Sequence, residues 1–420
     1  MAVWQLCEGT GMMLRIDADL LIPGRGIPIP NGTVIAEASE IVYTGPTSGV
    51  PAEAGEATAH VPVVMPGLWD CHIHFGTPVP EEFDTVGLTP PSVIGSRAVE
   101  ELSRTLDGGV TSVREVGGVG IELVGEIDTG RIRGPHLYGA GGIMSPTAGH
   151  ADQHSIPLPT LEALGDRYEF VFNVADGVPG VLKAVRRNLR RDAKVIKICT
   201  SGGVMSEVDH WSHQQFSDAE ITAIVEEAAR ADRIVAAHAE GKAGIMAALR
   251  CGVRTIEHGD QIDDEVIDLM LEKEIILVPT IWIGRQIHAM SEGMPEHVQR
   301  KMSELLDMGA ESVSRAIAAG IPIAMGTDMF IHGPLYGTNS LEIAHMIELG
   351  MDPLTAIEAA TANGPATLGP QAPLSGQLRE GYDADIIALD FNPLEEPTSW
   401  GDPDRVTHVW RSGASVKAPT

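Results

Sequence analysis

The sequence predicts an α/β fold, a (β/α)8 TIM-like barrel with a small β-sandwich domain formed by both termini. Three observations lead there. Eight apolar strand-like runs alternate with amphipathic helical stretches through the middle of the 420 residues. Histidines, a lysine and an aspartate recur at or near the C-terminal ends of those runs, the face on which parallel barrels build their sites. Both ends of the chain instead read as short strands and turns.

At the N-terminal end, "MLRIDADLLIPG" is followed by "PNGTVIAEASEIVYTGP", with Asn-Gly and Gly-Pro as turn signals. The C-terminal end has the same character in "GQLREGYDADIIALDFNPL" and "VTHVWRSGASV". Residues 1–62 and 366–420 are therefore expected to form one composite β domain, and residues 63–365 the barrel. The strand candidates of the middle are "VPVVMPGLWDCHIHF", "VTSVREV", "PHLYGAGGI", "KVIKICTSGG", "RIVAAHAE", "VRTIEHG", "IILVPTIW" and "IPIAMGTD". Between them, "DAEITAIVEEAARAD" and "DEVIDLMLEKE" place apolar residues at i, i+3 and i+4, the helical stripe. A doubly wound open sheet alternates in the same way. The count of eight and the polar strand ends favour a closed barrel.

Hydrophobic residues make up 43% and charged residues 21%, the balance of a globular chain large enough to need no disulfide staples. The net charge of -29 repels phosphate backbones and anionic membranes, which disfavours nucleic acid and membrane partners and leaves a small-molecule substrate. Cys7, Cys71, Cys199 and Cys251 are scattered and form no CxxC pair. Reduced cysteines, no basic-then-apolar leader and no membrane-length apolar run give the expectation of a cytoplasmic protein.

The chemistry lies at the strand ends. In "DCHIH", His72 and His74 are two residues apart and share one face of a strand. Lys197 lies in "VIKIC", His238 in "AAHAE", His258 in "IEHGD" and Asp328 in "MGTD". Each alone has an ordinary explanation, such as a core histidine or a capping aspartate. Together they do not, because buried polar groups need partners. Imidazoles with a carboxylate suit zinc or a similar divalent transition metal. Lys197, between Ile196 and Ile198, is costly if charged. Either a carboxylate pairs with it, or carbon dioxide carbamylates it into an anionic ligand that bridges two metals. Beside this ligand set the second reading is preferred.

These residues resemble the amidohydrolase superfamily. "PGLWDCHIHF" is similar to its first-strand signature, and "GGVTSVREVGG", "VIKICTSGGVMS", "AAHAEG", "GVRTIEHGDQIDDE", "IAMGTD" and "GYDADIIALDFNPL" follow in family order. The chain is most similar to the prolidase-like and imidazolonepropionase-related branch. That branch includes Xaa-Pro dipeptidases, carboxypeptidase-like enzymes, an ochratoxin-cleaving amidase and hydrolases of carbamates and ureas. The resemblance implies two divalent ions, Zn2+ or alternatively Mn2+. His72, His74 and Asp328 would hold one, His238 and His258 the other, and carboxylated Lys197 would bridge them. It also implies a homo-oligomer, and gives His150 in "SPTAGHADQH" the part of a substrate-facing histidine that polarises the scissile carbonyl. His154, His210, His213 and His332 are further loop candidates. One departure stands out. Relatives often carry Tyr after "HA", where this chain has Glu240, which would repel a substrate carboxylate unless Lys242 or Arg285 offsets it.

The reaction expected is hydrolysis of a C–N bond in an amide, peptide, carbamate or urea, with Asp328 moving the proton to the leaving amine. Rival readings are an Xaa-Pro dipeptidase or carboxypeptidase proper, a cyclic amidase or deaminase, and a catalytically silent barrel that only binds. Lys197 argues against the single-metal deaminases, and the complete ligand set argues against the silent barrel. No GxSxG motif is present, which disfavours a serine hydrolase.

Overall fold

The computed structural model describes residues 13–80, 82, 88–168, 172–290 and 294–419. From the N-terminal side come β1 (Met13–Leu21), β2 (Ile29–Glu37), β3 (Glu40–Pro46) and β4 (Ala59–Pro66). In β1 buried and half-buried residues alternate, the signature of a strand with one covered face. Next come β5 (Leu68–Ile73), β6 (Val110–Glu115) and β7 (His136–Gly139), which form a three-stranded parallel sheet. A six-stranded parallel sheet follows, built from β8 (Ile143–Ser145), β9 (Phe172–Val174), β10 (Ile196–Cys199), β11 (Val235–Ala239), β12 (Thr255–His258) and β13 (Ile276–Val278). Its order is β13-β12-β11-β10-β8-β9. The last strands are β14 (Ile386–Leu389), β15 (Val406–Arg411) and β16 (Ala414–Lys417).

The run from Val61 to Phe75 reads as one strand in sequence but serves two sheets. It breaks at Gly67, where a Cβ would stand 2.1 Å from the Thr111 hydroxyl. Only glycine lets β4 end against one sheet and β5 begin in the other. Every residue of β5 and β6 is buried, as expected of parallel strands covered on both faces.

Backbone hydrogen bonds join the two parallel sheets at two places. At one, the Lys194 amide donates to the Gly139 carbonyl at 2.8 Å, joining β7 to the start of β10. At the other, residues 321–329 run between β13 and β5. Leu277 N–H donates to Pro322 O at 2.9 Å, Cys71 N–H to Met325 O at 2.8 Å, and His74 N–H to Met329 O at 3.0 Å. The eighth expected strand is thus two isolated bridges, Leu277–Ile323 and Ile73–Met329, rather than a ladder. Gly326 presses against Val278 and His72, and Asp328 turns the chain at φ 55°, so the segment cannot stay regular. The short β9 was not anticipated from the sequence.

Strands from both ends of the chain do share one sheet, in the order β16-β15-β14-β4-β1-β2-β3. It covers an apolar cluster that includes Ile16, Val34, Val64, Ile386 and Trp410. Both helices read from periodicity are present, Asp218–Ala229 and Asp264–Glu272. Ser217 starts the first with a reciprocal capping box to Glu220, and Asp263 caps the second. Cys71, Cys199 and Cys251 are free thiols, and Cys7 lies outside the described residues. Among the described residues, no helix is long and apolar enough to cross a membrane.

Candidate active site

The five expected imidazole and carboxylate ligands converge. Ring centroids of His72 and His74 lie 5.4 Å apart, those of His72 and His258 5.1 Å, and those of His238 and His258 4.6 Å. Asp328 Oδ1 lies 2.9 Å from His74 Nε2 and 3.3 Å from His72 Nε2. One ligand atom from each of His72, His258 and Asp328 falls within 4.8 Å of the other two.

Each histidine bonds the scaffold through one nitrogen. His72 Nδ1 donates to Glu257 Oε2 at 2.9 Å, and His74 Nδ1 to the Gly117 carbonyl at 2.6 Å. His258 Nδ1 bonds Thr280 Oγ1 at 2.7 Å. His238 is turned the other way, with Nε2 on the Gly202 carbonyl at 3.0 Å, which leaves its Nδ1. Committing one nitrogen to the scaffold orients the ring and reserves the other nitrogen, the arrangement of metal-ligating histidines. His258, Thr280 and Asp328 all have positive φ, at 72°, 52° and 55°. Such strained backbone at three strand ends is tolerated where it aims functional side chains.

Lys197 is buried in β10, and its Nζ lies 3.5 Å from His72 Nε2. Among the described residues no carboxylate comes within ion-pair distance of it. The bland reading, a lysine paired with an acid, therefore lacks its acid. Burial pushes the amine below the usual lysine range. Glu257 accepts from both His72 and the fully buried Arg114, whose guanidinium reaches each of its oxygens at 2.8 Å. Burial alone would raise this carboxyl, but Arg114 and His72 hold it well below the usual range.

His150 lies flat against His238, with centroids 4.1 Å apart and planes 9° from parallel. Glu240 is in the cavity wall, buried, and among the described residues its Oε2 has no hydrogen-bond partner. Burial first, then Asp260 and Asp209, push its carboxyl well above the usual range, and burial pushes Asp260 up to about 7. The repulsion expected of Glu240 needs a charge that this environment disfavours. Arg285 also lines the cavity, but its guanidinium is engaged by Glu348 and by His345 Nδ1 at 2.7 Å. Lys242 requires correction. It opens the helix Lys242–Cys251 outside the cavity, and Asp263 and Glu265 hold its ammonium at 2.5 and 2.7 Å. Two carboxylates thus already neutralise that charge. His154 lines the cavity, His210 and His213 pack against each other outside its wall, and His332 bonds Glu101 at 2.8 Å.

Several residues were missed from sequence. Asp70 shares the alternation of His72 and His74 and is buried. It accepts from Thr327 Oγ1 at 2.6 Å and Asn339 Nδ2 at 2.8 Å, tying β5 to the segment that carries Asp328. The period-two pattern could have revealed it. Glu257 precedes His258 directly, but nothing local says that it reaches His72. The cavity, about 570 Å³, has an apolar wall that includes Val204, Met205, Ile283, Met302, Leu305 and Phe330. Much of that wall comes from the helix Glu296–Ala319, to which no role had been given.

Comparison with known proteins accords with this geometry. Residues 63–416 match the amidohydrolase family. Ochratoxinase of Aspergillus niger is 44% identical over 423 aligned residues, spanning 96% of this chain and 86% of that protein. The crystal structure of A. niger ochratoxinase superposes with a TM-score of 0.91 at 42% identity, covering 98% of this chain and 97% of the other. A prolidase crystallised with N-methylphosphonate-L-proline superposes with a TM-score of 0.87 at 31% identity, covering 97% and 100%. With the match running nearly end to end, the chain belongs to the amidohydrolase family.

Proposed function

We propose that this metal-dependent hydrolase of carbon–nitrogen bonds cleaves amides with a bulky apolar acyl group, of the ochratoxin kind, at a centre for two divalent ions. The observation that carries the reading is the convergence of His72, His258 and Asp328 within 4.8 Å, beside a buried Lys197 that has no carboxylate within ion-pair distance among the described residues. The residues fit such a centre. His72, His74 and Asp328 would hold one ion, His238 and His258 the second, and carboxylated Lys197 would bridge them. Zn2+ matches these donors, and Mn2+ is the alternative.

Bound ions would supply a hydroxide at neutral pH and polarise the scissile carbonyl. The chain's own groups do the rest. The Asp328 carboxylate takes the proton of the attacking water and hands it to the leaving nitrogen. His150 meets the scissile amide from the side of His238. The apolar wall receives the acyl group and excludes water, with Glu240 and Arg285 bordering the remainder of the substrate. The backbone hydrogen bonds that join the two parallel sheets support a closed (β/α)8 barrel over residues 63–365. The shared terminal sheet and its apolar cluster support one composite β domain from residues 1–62 and 366–420, which in this proposal folds over on itself as a small sandwich. A cytoplasmic homo-oligomer completes the proposal.

The test is elemental analysis of protein made in zinc- or manganese-supplemented medium, followed by assays on matched substrates. Two ions per chain and cleavage of an aromatic N-acyl amino acid are expected. Its neutral C-terminal amide should be cleaved at least comparably. An active protein without metal would sink the mechanism. Strong preference for Xaa-Pro dipeptides would transfer the assignment to the prolidase reading, which the 31% identical neighbour supports.

A further inference from the structure

We infer that Lys301 is a positioning residue for the acyl group of the substrate: its ammonium ties Val204 and Met205 to the helix Glu296–Ala319, and so holds the apolar wall of the cavity formed before the substrate arrives. The inference rests on the reading of that wall as the acyl site and deepens it.

The argument starts from two adjoining stripes on one helix. Val298, Met302 and Leu305 are buried, recur at i, i+4 and i+7, and line the cavity. One position earlier, and about 100° round the helix, His297, Lys301 and Glu304 repeat the same spacing. This second stripe grips the segment that follows β10. His297 Nε2 lies 3.3 Å from the Met205 carbonyl, and Glu304 Oε2 accepts from Trp211 Nε1 at 3.0 Å. Residues 202–209 belong to no helix or strand, so side chains have to hold them in place.

Lys301 makes the central grip. It is 1% exposed, and an ammonium has three hydrogens to donate and no acceptor. Its Nζ donates to Gly203 O at 2.9 Å, Ser206 O at 2.6 Å and Asp209 Oδ1 at 3.2 Å. All three hydrogens are thus used, and the Asp209 carboxylate offsets the buried charge. The two carbonyls bracket Val204 and Met205, so both ends of that short arch are tied to one atom of the helix. Val204 and Met205 line the cavity as well. Val204 belongs to the same buried apolar cluster as Val298, Met302 and Leu305, and Met205 packs against it.

An apolar side chain at 301 could fill the space between helix and loop, but it could not reach both carbonyls with donors. The wall would then have to be ordered by the arriving acyl group, at a cost in affinity. Were the freed segment in place about one-tenth of the time, apparent affinity would fall about tenfold.

The test uses 2-acetylnaphthalene, a flat apolar ketone with no carbon–nitrogen bond, so its outcome is separate from whether ochratoxin-type amides are cleaved. Zinc-loaded protein carrying 13C-methyl methionine is titrated with it, and the Met205 and Met302 signals are identified by their loss in Met205→Leu and Met302→Leu. Both methyls should shift in the wild-type protein. If neither does, the inference is overturned, and that spectrum decides whether or not the Lys301 variants fold. By calorimetry, Lys301→Met should bind the ketone at least about tenfold more weakly while its zinc content stays that of the wild type. An unchanged Kd overturns the inference. Lys301→Met combined with Asp209→Asn removes the carboxylate left without its ammonium, so the melting temperature should recover while binding stays weak. Binding that returns with stability would make Lys301 merely structural and overturn the inference.

Discussion

Replacing Glu257 by Gln should damage both stability and metal binding. The two oxygens of Glu257 face donors on every side. Oε1 accepts from Arg114 Nη2 at 2.8 Å and Thr255 Oγ1 at 2.6 Å, while Oε2 accepts from Arg114 Nη2 at 2.8 Å and His72 Nδ1 at 2.9 Å. A glutamine must turn its NH2 toward one of these groups, so donor meets donor in either orientation. Arg114 would also keep a fully buried charge with its counter-ion gone. Breaking a buried pair by removing one partner costs about 3–5 kcal/mol. With an unfolding entropy of about 2.1 cal/mol/K per residue over this length, the midpoint should fall by about 3–6 °C. His72 loses the acceptor that orients it, which should weaken metal binding by about 10–100-fold. Thermal unfolding of the metal-free variant measures the first effect, and competition with a chromogenic chelator measures the second. An unshifted midpoint would refute the energetic argument. A lowered midpoint with unchanged metal affinity would refute the orienting role.

Lys197→Ala should lose bound metal and activity together, with partial rescue by short carboxylic acids plus bicarbonate, whereas Lys197→Arg should stay inactive because guanidinium cannot form the bridge. A fully active arginine variant would reduce Lys197 to a structural residue. Gly203→Ala should destabilise the fold by about 1–3 kcal/mol and displace His150, because the new methyl collides with its ring. A structure of that variant with His150 unmoved would contradict the packing argument. Lys242→Ala should leave kcat/KM within about twofold, as expected for an exposed ion pair. Arg285→Ala should alter KM, and equal effects from both variants would show that the cavity boundary is misdrawn. Light scattering at micromolar concentration should find an oligomer, and a monomer alone would overturn that reading.

The clustering of the candidate ligands was legible because strand geometry is local. Residues two apart share a face, so "DCHIH" already aligns His72 with His74, and parallel strands deliver their C-terminal ends to one side. The capping box at Ser217 and the helical stripe of Asp218–Ala229 were equally local. The sequence could not tell that one strand-like run divides at Gly67 between two sheets, since the collision with Thr111 is made across the fold. Nor could it tell that Lys242 turns to Asp263 and Glu265 while Glu240, two residues earlier, is buried in the cavity wall. The hydrogen bonds that orient the site join residues far apart in the chain: His72 to Glu257 across 185 positions, and Asp209 to Lys301 across 92. Periodicity determines which face a side chain takes within its own element. Which partner meets it there, and hence which ring nitrogen is left for chemistry, is decided only when distant elements pack and each buried donor must find an acceptor.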